Sequence, residues 1–335
     1  MDIGDWYQKR FEFEGQKIAT AGSCFAQHIG RNLRKCGFDY LDTEPAPEAF
    51  PAERALDFGY GMYSARYGNL YTSRQLLQLI KRAFGQFSPA EQYWEKDGGV
   101  VDPFRPTLEP EPFSSVRELM ALQKSHLEAV VELFQTADVF VFTLGLTETW
   151  EARKDGAVFP LCPGTAGGRY DDKSYAFRNL TSAEVRGDME EFISIVRRIN
   201  PNIRLFLTVS PVPLMATATQ QQVAVATMHS KSVLRAVAGE LYQDHGFVDY
   251  FPSYEIITSP FMKGYFFQPD AREVSPHGVD HVMSVFFSQH VPPGAGAQQG
   301  ATTPRAQTDH LERAEAARLE QVKCDEELLN SFGDN

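Results

Sequence analysis

The sequence predicts an α/β protein: a three-layer α/β/α sandwich with a mostly parallel central sheet, irregular insertions and a C-terminal helix. Three observations predict it. Apolar, β-branched and aromatic runs at residues 138–146 (DVFVFTLGL) and 204–210 (RLFLTVS) read as strands buried on both faces. Amphipathic segments of about ten to twenty residues separate such runs, so successive strands are joined by right-handed helical crossovers that cover both faces of a sheet. At 335 residues, 43% hydrophobic and 23% charged, the chain has the apolar surface for a core of that size.

The first strand, residues 18–21, runs into Gly22, Ser23 and Cys24, which supply a flexible backbone point, a helix-capping hydroxyl and a thiol. Phe25, Ile29, Leu33 and Cys36 then recur on one face of a helix. A nucleophile at such a turn sits beside unpaired amide donors that stabilise a thiolate or a developing oxyanion. The competing reading is an N-cap serine followed by a cysteine packed as a small hydrophobe. Residues 38–40 read as a short second strand and the proline-broken stretch to Tyr60 as a loop. Gly68-Asn69 marks a turn, after which Thr72 or Ser73 caps a helix that buries Leu76, Leu77, Ile80 and Phe84.

Residues 85–115, rich in proline, glycine and aromatics, read as an insertion or lid. An amphipathic helix over 115–134 places His126 on its apolar face, as a packed or hydrogen-bonded rather than catalytic histidine. The strand at 138–146 ends abruptly in Gly145-Leu146-Thr147-Glu148, and open α/β sheets bind ligands beyond the carboxyl ends of their strands. A strand exit with a capping threonine explains the same residues without a ligand. Residues 151–180 form a second irregular excursion without a phosphate-loop lysine. Helices follow at about 182–199 and 223–242, with strands at 204–210 and 248–250; His229, Ser230 and Lys231 read as surface or packing positions. Ser275-Pro276 starts a helix with Val279, Val282, Met283 and Phe286 buried, and Asp270, Glu273, His277, Asp280 and His281 crowd that start.

The formal charge of −12 and the lack of any Lys/Arg-rich block argue against nucleic-acid binding. Four cysteines without C-x-x-C spacing suggest neither a zinc site nor a disulfide framework, and no cofactor is expected. With no signal-like or membrane-length apolar run, a reducing cytoplasm is the expected location. Residues 1–290 read as one domain with insertions at 85–115 and 151–180, 291–308 as a flexible linker, and 309–335 as an amphipathic helix for docking or homo-oligomerisation.

The motif Gly22-Ser23-Cys24-Phe25-Ala26 resembles the signature of the GSCFA family. The resemblance extends to RYGNLYTSRQLLQL (66–79), DPFRP (102–106), VFVFTLGLTETW (139–150), LTVSPVPL (207–214), YFPSYEI (250–256) and CDEELL (324–329). That family is similar to the SGNH or GDSL-type hydrolases, α/β/α enzymes that cleave esters with a Ser-His-Asp arrangement and no metal. The resemblance places Cys24 in the nucleophile position, with Ser23 the nucleophile in the alternative register. It implies an oxyanion amide at Gly68, with Asn69 beside it. A third Gly-x-Asn-Asp block falls on Gly145-Leu146-Thr147-Glu148, so that Thr147 stands where an asparagine would donate to the oxyanion. An Asp-x-x-His block counted from Asp270 reaches Glu273, leaving His277 or His281 as base with Asp270 or Asp280 as orienting acid. The implied function is acyl hydrolysis or transfer of a small group, such as acetyl, on a carbohydrate or related metabolite. The alternatives are a carbohydrate- or peptide-binding module on a degenerate hydrolase fold and a scaffold assembled through the C-terminal helix.

Overall fold

Four strands, β1 (Ile18–Gly22), β4 (Val139–Leu144), β8 (Arg204–Val209) and β9 (Val248–Phe251), form one parallel sheet in the order β1-β4-β8-β9. Their near-continuous apolar sequences follow from burial on both faces. The computed structural model describes residues 5–293, the side chain of Cys24 excepted; the expected linker from 294 onward and the C-terminal helix lie outside the described residues. The expected strand at 38–40 reduces to a single parallel bridge between Tyr40 and Ile18. Counting that bridge, the sheet runs outward from β1 in both directions, the arrangement that creates a ligand-binding crevice where the strand order reverses.

One face of the sheet carries α1 (Cys24–Lys35) and α7 (Pro276–Gln289), whose Phe25, Ile29, Leu33, Val282 and Phe286 share a core with Val139, Val141 and Phe206. The opposite face carries α2 (Ser73–Ala83), α3 (Val116–Thr136), α4 (Ser182–Ile199) and α5 (Val223–Asp244), packed on Phe140, Phe142, Leu205 and Leu207. The predicted starts hold: Thr72 and Thr181 form capping boxes, and Ser275 accepts from the Gly278 amide with Pro276 as first helical residue. A short helix α6 (Ser253–Thr258), too short for a periodic signal, follows β9. Towards the opposite end of the strands, Tyr7 donates to Asp249 at 2.7 Å and lies 3.0 Å from His290 Nε2, tying the N-terminal arm to the end of α7. Among the described residues no helix is long and apolar enough to cross a membrane.

The two excursions differ from the irregular segments expected. Residues 85–115 contain a hairpin, β2 (Trp94–Lys96) and β3 (Gly99–Val101), turned through Asp97 and Gly98, both at positive φ. Residues 148–179 form an antiparallel sheet of β5 (Glu148–Ala152), β6 (Val158–Phe159) and β7 (Tyr175–Asn179) in the order β6-β5-β7. Trp94, Val101, Ala152, Phe159 and Tyr175 share a core, so the two insertions pack as one lobe. Gly168 lies flat on the Trp94 indole, where a Cβ would approach to 2.8 Å. The strands are too short, and their burial too dependent on the other insertion, for alternation to be legible.

Candidate active site

Three of the four sequence blocks converge beside the reversal between β1 and β4. Gly22 ends β1 at φ +143°, opposite Thr143 of β4, and a Cβ there would lie 2.7 Å from both the Thr143 Cβ and its carbonyl oxygen. Ser23 is the N-cap of α1 and only 3% exposed, yet its hydroxyl makes no capping bond, unlike those of Thr72, Ser115, Thr181 and Ser275. The hydroxyl expected to cap therefore does not, and the Ala26 amide in the first turn of α1 donates instead to the Ser23 carbonyl at 2.9 Å. Cys24 is the first residue of the helix.

The Gly68-Asn69 turn is tied to this point by the Leu70 amide, which donates to the Gly22 carbonyl at 2.9 Å. The Tyr63 hydroxyl donates to Asn69 Oδ1 and accepts from Gln27 Nε2 at 3.1 Å, which fixes the orientation of the asparagine amide. Behind the turn, the RYGN and DPFRP segments are two halves of one buried ionic network. Arg105 pairs with Asp102 at 2.9 Å and donates to the Arg66 carbonyl at 2.8 Å, while Arg66 pairs with Glu109 at 2.6 Å. Glu44 accepts from the Arg66 amide and from His126 Nδ1, both at 2.7 Å. His126, held to a carboxylate that can only accept, carries its proton on Nδ1; it is a buried positioning histidine, as its apolar helix face suggested.

Burial, and secondarily the charge of Arg105, lowers the His126 pKa to about 4. Burial likewise lowers His28 and His290 to about 3, followed by the effects of Arg31 and Lys9. These imidazoles are neutral when folded but take up protons near pH 6.5 when unfolded. The unfolded chain therefore binds more protons below about pH 6.5, and folding stability falls as pH drops from there towards about 4. The two buried imidazoles, His126 and His290, each contribute up to about 1.4 kcal/mol per pH unit across that window, and the half-buried His28 less. Chemical denaturation at about pH 5 is expected to show at least about 2 kcal/mol less stability than at about pH 7.5; equal stabilities would show that the imidazoles ionise freely in the folded protein.

The third block lies against the first: a Cβ on Gly145 would fall 3.4 Å from Ser23 Cβ and 3.0 Å from the Tyr71 carbonyl. Its donors, however, are engaged within the protein. The Gly145 and Leu146 amides donate to the Tyr71 carbonyl at 3.1 and 2.8 Å. The Thr147 amide donates to Ser230 Oγ at 3.0 Å and its hydroxyl to Asn179 Oδ1 at 2.7 Å. Thr147 has one hydroxyl proton, so in this arrangement it braces β7 rather than facing an oxyanion. Glu148 opens β5 and accepts from Thr217 at 2.7 Å, with burial raising its pKa.

The last block is arranged differently from an Asp–His pair. Asp270 is exposed and accepts from the Arg272 and Glu273 amides at 3.0 and 3.1 Å, closing the turn before α7. His277 is exposed and meets Tyr265 edge-on; His281 stacks on Phe266 at 4.8 Å, and its buried Nε2 has no hydrogen-bond partner among the described residues. Burial, then His277, lowers the His281 pKa. Asp280 is exposed, and among the described residues neither imidazole is hydrogen-bonded to Asp270 or Asp280. The geometry therefore brings together the Gly22, Gly68 and Gly145 blocks and does not pair an acid with a histidine at the start of α7.

Sequence reasoning missed Ser230 and Lys231, read as surface or packing positions. Both are buried: Ser230 holds the Thr147 amide, and Lys231 Nζ donates to the Gly145 carbonyl at 2.7 Å. The available signal was register. Lys231 stands three and seven residues before the buried Leu234 and Ala238, on the apolar stripe of α5.

These features define an α/β/α protein with the Gly22-Ser23-Cys24 strand-to-helix turn at the reversal of its sheet. The GSCFA family model matches residues 17–286, and the chain belongs to that family. No curated protein matches the sequence. Among solved structures, the chain is similar to an acetyl esterase crystallised with acetate and to a carbohydrate esterase family 3 member from Talaromyces cellulolyticus. For each, sequence identity is 8%, 82% of this chain and 95% of the other are covered, and the TM-score is 0.37. An acetyl-xylooligosaccharide esterase from Geobacillus matches at 12% identity and TM-score 0.33, covering 83% of this chain and 96% of its own.

Proposed function

We propose that the protein is an SGNH-like acyl-ester hydrolase or acyltransferase that moves a small acyl group, with acetyl the first candidate, on a carbohydrate or related metabolite. The observation that carries this reading is the convergence of the Gly22-Ser23-Cys24 turn, the Gly68-Asn69 turn and Gly145 at one reversal of the sheet. Cys24 acts as nucleophile, with Ser23 the alternative register. A thiolate at a helix start needs less help from a base than a hydroxyl does, which suits a site where no acid–histidine pair is assembled. The oxyanion is assigned to the Gly68-Asn69 turn and the start of α1, the turn that the resemblance implies, while the Gly145, Leu146 and Thr147 amides donate within the protein. His281 is the leading proton carrier and His277 the second, with Asp270 or Asp280 as the orienting acid.

A carbohydrate substrate is supported by an open cleft of about 770 Å³ in the accessory lobe, lined by Tyr93, Trp94 and Tyr175 together with Arg153, Lys154 and Arg169. β5 runs from Glu148, next to the site, to Ala152 on that cleft, a span of about 13 Å at strand rise. Tyr93, the exposed aromatic of that lining, suits a sugar ring beyond the reacting one, whereas Trp94 and Tyr175 are buried in the core of the lobe. The cytoplasmic location and a soluble acyl acceptor belong to the same proposal.

Purified protein is expected to release p-nitrophenol from p-nitrophenyl acetate and acetate from acetylated oligosaccharides. Absence of both activities, together with absence of transfer to added sugar acceptors, would rule out the acyl-chemistry reading. The engaged donors of Thr147 favour one second reading, a carbohydrate- or peptide-binding module. Glycan binding unchanged by Cys24→Ala, without turnover, would select it.

A further inference from the structure

We infer that the accessory lobe binds the remote end of the substrate and selects an acidic oligosaccharide, one whose sugar units carry carboxylates, along one face of its three-stranded sheet. The inference deepens the proposed function and rests on its carbohydrate reading. Antiparallel pairing defines the face. Glu148, Trp150 and Ala152 of β5 stand opposite Asn179, Phe177 and Tyr175 of β7, and residues two apart on a strand project from the same side. The first pair adjoins the site, since Asn179 Oδ1 accepts the Thr147 hydroxyl at 2.7 Å. The last pair, Ala152 and Tyr175, lines the cleft of about 770 Å³. One continuous face thus leads from the Gly145–Thr147 block to the cleft.

An aromatic platform occupies the middle of that face. Trp150 meets Tyr170 and Phe177 with ring centroids 5.5 and 5.6 Å apart. Trp150 and Phe177 are half-buried and Tyr170 is 41% exposed, whereas Phe159, the partner of Trp150 on β6, is closed into the core of the lobe. Rings that brace one another yet stay open to water offer an apolar surface. The C–H face of a pyranose covers such a surface while its hydroxyls remain solvated.

The far end of the face decides the charge. Arg153, Lys154 and Lys173 line the cleft, are exposed, and have no carboxylate partner among the described residues; Arg153 donates its Nε to the Asp172 and Tyr175 carbonyls. Arg169, the fourth cation of the lining, has Asp171 nearby. Two of the three acids of the lining are used within the lobe. Glu91 accepts from the Tyr175 hydroxyl at 2.7 Å, and Asp155 from the Ala90 and Ala157 amides at 2.6 and 3.0 Å. Glu95, the third, is exposed. In a chain of formal charge −12, unpaired cations gathered on one cleft favour an anion there, and a guanidinium fork matches a carboxylate. A neutral sugar would need only the rings and a simple anion only the cleft; a sugar chain bearing carboxylates uses both.

The test is calorimetric titration of the full-length chain with unacetylated oligogalacturonate and with a neutral xylo-oligosaccharide of equal length. In about 50 mM salt the acidic chain is expected to bind at least about tenfold more tightly, and about 500 mM salt to remove most of that preference. The double variant Lys154→Gln, Lys173→Gln is expected to bring the two affinities within about threefold of each other by weakening the acidic chain alone. Tyr170→Ala is expected to weaken both by about fivefold. Equal wild-type affinities, or a preference that survives the double substitution, overturn the inference and leave the carbohydrate reading standing. Binding of neither chain overturns both. Polyglutamate, an anion without sugar rings, binding as tightly as oligogalacturonate would make the cleft an indiscriminate polyanion surface and overturn the inference as well. Acyl chemistry is judged separately by p-nitrophenyl acetate, an ester that carries no sugar to occupy the lobe.

Discussion

Cys24→Ala is expected to lower p-nitrophenyl acetate turnover by at least about a thousandfold, whereas Ser23→Ala loses less than about tenfold. The asymmetry has a physical basis. On the proposed assignment, removing the Cys24 sulfur eliminates the covalent route and leaves only substrate binding and oxyanion stabilisation, whose residual acceleration is modest. Ser23 occupies the N-cap without using its hydroxyl as a cap, so trimming it costs little helix stability and changes the site only through packing beside Gly145. Steady-state kinetics on both variants, with melting curves to confirm folding, decide the register. A large loss in Ser23→Ala and a small one in Cys24→Ala would assign the serine as nucleophile; no loss in either would place the chemistry elsewhere.

Gly22→Ala is expected to destabilise the protein by about 3–5 kcal/mol, among the largest single-residue effects in the fold. Two costs combine. The residue sits at φ +143°, a region that L side chains rarely adopt, which costs on the order of 1–3 kcal/mol. The new methyl would also meet Thr143 Cβ and its carbonyl oxygen at 2.7 Å, and the neighbouring atoms belong to the central strand of the sheet, so relief by a side-chain rotation is incomplete. Denaturant unfolding checks the magnitude. A loss below about 1 kcal/mol would mean that β1 and β4 separate easily at their ends, contrary to their continuous parallel register from Ile18–Val139 to Gly22–Thr143.

Much of this architecture is written locally. The strand at 139–144 is apolar throughout because it is buried on both faces, and Thr72, Thr181 and Ser275 announce their helices through side chains that reach the next turn of the same segment. Gly22 marked the strand-to-helix turn correctly, and Ser23 was correctly placed at the cap, although its hydroxyl does not perform the capping bond expected of it. The insertions were legible as insertions but not as sheets. β2 and β3 bury Trp94 and Val101 only against β5, β6 and β7, which lie some sixty residues away in the chain.

The sequence by itself determined the α/β/α class, the helix starts and the identity of the turn that presents Ser23 and Cys24, since each depends on residues within a few positions of one another. Tertiary structure alone decided how the polar groups at that turn are allocated. Thr147 is bound to Ser230, Lys231 to Gly145 and His126 to Glu44 across separations of 83, 86 and 82 residues. A hydroxyl has one proton to give, and a buried lysine must set its Nζ against acceptors. Which partner receives them depends on the segment the fold brings alongside, and local periodicity carries no record of that segment.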